Sequence, residues 1–374
     1  MKIVLTGGGT GGHFYPLIAV SQALYRLADQ QKLVDVAIWY LAPEPYNPRA
    51  LFEEHITFIP ISAGKMRRYF SIHNFIDVFK TLFGMIQALW QLFFIFPDVV
   101  LSKGGYASVP TVWAARILGI PIVIHESDSK PGRANLWAGR FATKIAVSYA
   151  EAASYFPAGK VAITGNPIRA EIINPITNGA HEYLKLEPNL PIILVIGGSQ
   201  GATRINDAFL DLAPELIKSY QIIHQVGKTN LSEVNKRISY LLADSPDRER
   251  YRVFDYLNET ALRMTAGVTD LVVSRSGSAV FEFAVWGVPA ILVPIPESIS
   301  HDQRSNAFMY ARTGAAAVIE ENNLTKSVLS SEINRIISNR ELRAKMSEAA
   351  KAFAKPEAAA TIAQALIDLA ATHE

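Results

Sequence analysis

A short apolar run, Lys2-Ile3-Val4-Leu5-Thr6, ends on Gly7-Gly8-Gly9-Thr10-Gly11-Gly12-His13, and a helical pattern follows at once. A strand that runs through glycines into a helix brings backbone close to whatever binds there. The first helical N–H groups and the positive end of the helix dipole point into the same space. Such a turn is a seat for phosphate or pyrophosphate, and His13 adds an imidazole at its rim. The same residues also fit Gly-x-Gly-x-x-Gly, so the glycines alone leave a nicotinamide or flavin dinucleotide open.

The chain is 374 residues long and about half apolar (49%), enough for two domains with sizeable cores. Its net charge of +2 is too slight to argue for nucleic acid. With no cysteine there are no disulfides and no thiolate metal sites. The N-terminus enters a strand directly, without an apolar leader and cleavage site, so the chain reads as cytoplasmic.

Apolar, β-branched runs alternate with amphipathic ones. Strands are expected at Ile3–Thr6, Val36–Leu41, Thr57–Ile61, Val99–Ser102, Ile122–Glu126, Lys144–Val147 and Val161–Thr164. In the second half they are expected at Ile192–Ile196, Gln221–Val226, Leu271–Ser274, Ala290–Val293 and Ala316–Ile319. Helical patterns include Pro16–Asp29, Arg204–Leu216 and Ser278–Trp286. The alternation predicts an α/β fold with parallel sheets and right-handed crossovers. Ile192–Ile196 enters Gly197-Gly198-Ser199-Gln200-Gly201-Ala202 and repeats the opening theme, so two Rossmann-like domains are expected, 1–165 and 166–355. Ligands would bind beyond the carboxyl ends of the strands, in a cleft between the halves. A last helix at 356–373 could pack back on the first domain.

Four further segments stand at expected strand ends. Ser102-Lys103-Gly104-Gly105-Tyr106 is a second glycine turn, either a phosphate site with Lys103 as its charge or a tight turn with an exposed lysine. In His125-Glu126-Ser127-Asp128, the two acids could hold a divalent cation or cap the next helix. Arg169, after Gly165-Asn166-Pro167-Ile168, could clamp a diphosphate or form a hinge salt bridge. Ser274-Arg275-Ser276-Gly277 leads into a helix carrying Glu282, which could accept from vicinal ribose hydroxyls or complete a capping box. Gln303 and Asn306 begin another helix downstream.

Together, and in this order, these segments resemble the bacterial MurG family, the UDP-N-acetylglucosamine–lipid I transferases of peptidoglycan synthesis. The resemblance rests on Gly8–His13, Gly104-Gly105-Tyr106, His125-Glu126, Gly165–Arg169, Gly197–Ala202, Ser274–Gly277, and Gln303 with Asn306-Ala307. It implies a GT-B fold and inverting, metal-independent transfer of GlcNAc from UDP-GlcNAc to the C4 hydroxyl of undecaprenyl-diphosphate-MurNAc-pentapeptide, with no cofactor. It further implies donor contacts from Thr10, Gly11, Gly12, Arg169, Ser199 and Gln303, with Glu282 on the ribose. Gly104, Gly105 and Tyr106, with Gly11 and Gly12, would face the acceptor diphosphate. The sequence departs from the family in two places. Ser127-Asp128 follows Glu126 where Gln-Asn is usual, so the donor contact falls to Asp128, a carboxylate that cannot donate. The run from Arg275 to Glu282 is also one residue short.

An imidazole with an ordinary pKa near 6.5 suits His13 as the base that deprotonates the acceptor, with Glu126 in reserve. A dehydrogenase would want an acidic residue closing the second strand, but Leu41-Ala42-Pro43 stands there and Glu44 comes only afterwards. Other GT-B UDP-sugar enzymes, such as a soluble transferase or a UDP-GlcNAc epimerase, remain as alternatives. Thr81 to Pro97 is uncharged and rich in large apolar residues, but Gln87 and Gln91 interrupt it and a strand follows directly. It reads as an interfacial helix rather than a span. Lys65, Arg67, Arg68 and Lys80, with Tyr69, Phe70 and Phe75, would help it dock on an anionic inner leaflet.

Overall fold

The computed structural model describes residues 1–65, 72–198, 201–297 and 301–372. These form two compact units, the first Met1–Ala170 with Lys355–Glu374 and the second Glu171–Ala354.

Unit 1 holds seven strands: β1 (Lys2–Thr6), β2 (Ala37–Ala42), β3 (Ile56–Pro60), β4 (Val99–Ser102), β5 (Ile122–Glu126), β6 (Lys144–Val147) and β7 (Val161–Ile163). They lie in the order β3-β2-β1-β4-β5-β6-β7, every neighbour parallel. Unit 2 holds β8 (Ile192–Ile196), β9 (Gln221–Gln225), β10 (Tyr251–Phe254), β11 (Leu271–Ser274), β12 (Ala290–Leu292) and β13 (Ala316–Val318), in the order β10-β9-β8-β11-β12-β13. Again all pairs are parallel. The central strands are buried along their whole length, which is why Val, Ile and Leu run consecutively there rather than alternating with polar residues.

Twelve of these strands match the sequence expectation to within a residue at either end; β10 is new. Tyr251-Arg252-Val253-Phe254 follows a charged stretch, and as an edge strand it buries only Tyr251 fully. Its pattern therefore lacks the continuous apolar run that marks the others. The first helix starts at Gly11, five residues before the expected Pro16, and ends at Gln30. Pro16 is tolerated within it at the loss of one bond, the one to the Gly12 carbonyl four residues back.

Within unit 1 the helix Ala358–Ala371 packs along Gly11–Gln30, with Ala359, Ile362, Ala363, Leu366 and Ile367 joining the Ile3, Leu5, Leu17 and Val20 core. The other face of the sheet is covered by the helices Ile72–Ile95 and Val109–Ile117, which pack on each other. The Phe75–Ile95 part of the first of these is long and apolar enough to cross a membrane by length and composition. It is, however, the crossover from β3 to β4, and both strands belong to one sheet. Spanning a bilayer would set them on opposite sides of it. Ala88 and Leu92 face the core, whereas Phe75, Phe79, Phe83, Ile86, Trp90 and Phe93 stand exposed, Trp90 by 65%.

Unit 2 contains a buried polar triad. His224 Nδ1 meets the Tyr251 hydroxyl at 2.7 Å and Nε2 meets Asn206 Oδ1 at 3.0 Å. Asn206 in turn donates to the Val226 carbonyl at 3.2 Å, tying β9 to the helix Thr203–Leu216. Burial lowers the His224 pKa from 6.5 to about 3. The unfolded chain therefore binds this proton at a pH where the fold refuses it, and stability falls as pH drops through that window. The wild-type denaturation midpoint is expected to decline from pH 7 toward pH 4, and to decline less in His224→Gln, which cannot titrate. Equal slopes in chemical denaturation followed by circular dichroism would contradict this account.

Candidate active site

In both sheets the strand order reverses at the first strand of the unit. β1 is followed on one side by β2 and on the other by β4; β8 is likewise followed by β9 and β11. The turns leaving these pairs part company and open a crevice at the carboxyl edge, where open α/β sheets bind ligands. The sequence-predicted turns at 7–13 and 103–106 share one such edge in unit 1. Those at 197–202 and 275–282 share the other, in unit 2.

In unit 1, Thr10 is the N-cap of the Gly11–Gln30 helix, and its carbonyl accepts from His13 N at 3.1 Å and Phe14 N at 3.2 Å. The N–H groups of Gly11 and Gly12 precede these bonds and have no intrahelical acceptor. The Thr10 hydroxyl does not cap the helix; it lies 2.9 Å from His13 Nδ1. Behind the turn, the fully buried Tyr40 hydroxyl donates to the Gly7 carbonyl at 2.5 Å. His13 is half-buried, and burial with the nearby Lys103 ammonium lowers its pKa to about 4. Its imidazole is therefore neutral at ordinary pH. When Nδ1–H donates to Thr10, Nε2 carries the lone pair.

The second turn lies beside the first. Gly104 has φ +83°, and a Cβ there would stand 2.7 Å from the Asn135 side-chain amide. Gly105 borders His13: a Cβ built on it would lie 3.6 Å from Nε2, in ordinary contact. The Tyr106 ring stands over Gly9. Lys103 is buried, not exposed as a simple turn lysine would be.

The Glu126 carboxylate is occupied. Oε1 accepts from Asp128 N at 2.9 Å, and Oε2 accepts from Gly132 N at 3.0 Å and Asn135 Nδ2 at 3.0 Å. Those bonds fold residues 127–135 against the sheet. Glu126 thus does not cap the Arg133–Ala138 helix with its side chain, and three of the roughly four lone-pair sites of its carboxylate hold the loop. Asn135, which sequence reasoning gave no role, also donates to the His125 carbonyl at 3.1 Å. His125 Nε2–H reaches the Gly165 carbonyl at 3.0 Å, so the Gly165–Arg169 segment is held to the same site. The Arg169 guanidinium lies 4.6 Å over the Tyr15 ring, a stacking neither sequence reading anticipated. Asp128 is half-buried.

In unit 2, Gly201 N donates to the Gly198 carbonyl at 3.0 Å, closing the turn after β8. A Cβ on Gly201, at φ +74°, would strike the Val226 carbonyl oxygen at 2.1 Å. Ser199 lies outside the described residues, as do Arg67, Arg68, Tyr69 and Phe70. Arg275 is spent on Glu321 at 2.5 Å and on the Val293 carbonyl at 3.0 Å. Buried Ser276 donates to the Gln303 carbonyl at 2.7 Å, placing Gln303 beside the 275–278 turn. Gln303 Oε1 accepts from Ile295 N at 3.4 Å, which orients its NH2 group as a donor. Glu282 is half-buried in the first turn of Ala279–Trp286. It is the fourth helical residue, one beyond the capping-box position, and Ser278 makes no side-chain cap. Among the described residues, no group of three His, Asp or Glu side chains gathers as metal ligands.

Two parallel-sheet units, each with a glycine turn and helix start at its switch point, define the GT-B fold. The model for the glycosyltransferase family 28 N-terminal domain matches residues 3–147, and that for the C-terminal domain matches residues 192–362. A Bacillus cereus UDP-N-acetylglucosamine–N-acetylmuramyl-(pentapeptide) pyrophosphoryl-undecaprenol N-acetylglucosamine transferase is 36% identical, over 97% of this chain and 98% of its own. The crystal structure of Acinetobacter baumannii MurG superposes with a TM-score of 0.74 at 26% identity, covering 98% and 99% of the two chains. A Neisseria meningitidis UDP-GlcNAc 2-epimerase bound to UDP-GlcNAc shares the fold, with a TM-score of 0.68 at 16% identity over 98% and 100%. The chain belongs to the MurG family.

Gly104→Ala is expected to destabilise unit 1 by about 2–4 kcal/mol, from left-handed strain plus the clash with Asn135. Gly119→Ala is the control: its φ is +72° but nothing stands within 4 Å of the new Cβ, so only strain of about 1–2 kcal/mol applies. Equal losses in urea denaturation would refute the packing account.

Proposed function

We propose that the chain transfers GlcNAc from UDP-GlcNAc to the C4 hydroxyl of undecaprenyl-diphosphate-MurNAc-pentapeptide, converting lipid I to lipid II. The observation that carries the mechanism is the placement of a neutral imidazole, His13, beside both glycine turns of unit 1 with Nδ1 held by Thr10. His13 Nε2 takes the proton of the acceptor hydroxyl as its oxygen attacks the anomeric carbon from the face opposite UDP. The C1–O bond to the diphosphate breaks with inversion, and its electron pair leaves on UDP. The pKa of about 4 belongs to the ligand-free site. Anionic diphosphates bound nearby raise it toward the working pH, where a general base is most effective.

The acceptor diphosphate is assigned to the amides at Gly104 and Gly105, with Tyr106 and the Gly11-Gly12 helix start. Thr10, Gly11, Gly12, Asp128, Arg169, Ser199 and Gln303 are assigned to the donor, and Glu282 to its ribose hydroxyls. Glu126 acts through the loop it holds. Leaving-group charge falls to helix N-termini and Arg169, so the reaction needs no metal. A lipid-linked acceptor also accounts for the exposed apolar face of Ile72–Ile95. That face lies flat on the anionic inner leaflet of the cell membrane, with Lys65 and Lys80 near the headgroups, and the enzyme is otherwise cytoplasmic.

Transfer of radiolabelled GlcNAc to a lipid I analogue, with EDTA present, tests the reading. His13→Ala is expected to lower kcat by about 10²–10⁴ while leaving UDP-GlcNAc affinity nearly intact. Undiminished kcat removes His13 as base, and turnover of another acceptor with none of lipid I removes the function. Ile86→Asp with Trp90→Asp should weaken sedimentation with phosphatidylglycerol vesicles at least about tenfold, since each inserted side chain is worth about 1.5–3 kcal/mol. Unchanged binding refutes the docking face.

A further inference from the structure

Lys103 is not used by the mechanism above, yet its placement is costly. It is only 2% exposed, and among the described residues its Nζ has no hydrogen-bond partner. The register pairs Thr6 with Ser102 and Ser102 with Ile124, so Gly7, Lys103 and His125 follow side by side at three neighbouring strand ends. Only a glycine at position 7 admits the lysine, because a Cβ there would lie 2.9 Å from Lys103 Cβ. Two buried acceptors without partners lie in the same layer, Asn135 Oδ1 and His125 Nδ1. The latter is an acceptor because Nε2–H is directed at Gly165. A buried ammonium without hydrogen bonds persists only where charge compensates it. Glu126 and Asp128 supply that charge: both hold the proton on Lys103 against burial. Asp128 is also where this sequence departs from the amide usual in the family.

We propose that Lys103 is a positioning residue, the internal counter-ion of Glu126 and Asp128, whose charge permits a carboxylate at position 128 beneath glycine turns that receive a diphosphate. The proposal rests on the transferase reading above. Without the ammonium, two carboxylates would repel the incoming anion. The groups facing His13 are the Thr10 hydroxyl, Lys103 directly after β4 and His125 from β5; burial is the main cause of the low His13 pKa and the Lys103 ammonium adds to it, so loss of Lys103 removes that second contribution.

The test compares wild type, Lys103→Met, Asp128→Asn and the double variant by lipid I transfer kinetics and by NMR titration of the His13 ring. Lys103→Met should lower kcat/KM at least about tenfold and raise the His13 midpoint by about one pH unit. Measured as kcat/KM for the lipid I analogue at saturating UDP-GlcNAc, where the donor contact assigned to Asp128 is not read, adding Asp128→Asn should recover at least about threefold of that loss, the rest remaining with Glu126. Additive losses in the double variant, or an unmoved His13 midpoint, overturn the proposal. If Lys103→Met does not fold, Asp128→Asn decides. Burial already lowers the Lys103 pKa to about 8, so removing one partner must move the alkaline loss of transfer to lower pH. An unmoved alkaline limb overturns the proposal too. Absence of transfer by wild type would instead sink the transferase reading, and the His13 titration would still decide the role of Lys103.

Discussion

The reversal of strand order beside β1 and β8 is the constraint on which the site depends. A right-handed crossover sends the chain from β1 to one side of the sheet, and only later does it return to β4 on the other. The two turns leaving β1 and β4 therefore diverge, and the gap between them is lined by backbone amides. Side chains large enough to fill that gap would close it, which is why glycine occupies the turns on both sides. Unit 2 solves the same problem with the same order of strands.

Around the unit 1 gap the polar groups are buried, and burial decides their states. His13 and His125 are both held neutral by desolvation beside a lysine ammonium. The Glu126 carboxylate accepts from three N–H donors of the loop that follows it. The low dielectric that would penalise an isolated charge thus sharpens the field of a paired set. The chemistry asked of the site needs little more: a neutral nitrogen, fixed dipoles and room for anions.

Much of this fold was legible because fully buried parallel strands carry consecutive β-branched residues, and glycine turns mark where they end. The signals failed where a residue's meaning depends on distant partners. Tyr251–Phe254 pairs on one edge only and lacks the apolar run. Asn135 looks like any helical polar residue until the fold sets its amide against Gly104 and Glu126. Lys103 could be read as the charge of a phosphate site or as an exposed turn lysine, but not as a buried one, because burial is decided by what β1 and β5 bring beside it. Glu126 and Asp128 were recognisable as site-proximal acids, but which of them is satisfied by loop amides is a matter of three-dimensional closure. The helix Ile72–Ile95 was readable as apolar; which face the core covers was not, since a core and a bilayer favour the same residues.

The helix Ala358–Ala371 has a consequence for how the molecule is made. It belongs to unit 1, so unit 2 is an insertion within the chain of unit 1. During synthesis, residues 1–170 emerge with the Gly11–Gln30 helix missing the apolar cover that Ile362, Leu366 and Ile367 later provide. Unit 2 is contiguous and can fold on emergence, in the order domains usually follow. The helix that carries His13 thus gains its last packing partner only after the whole of unit 2 has been synthesised.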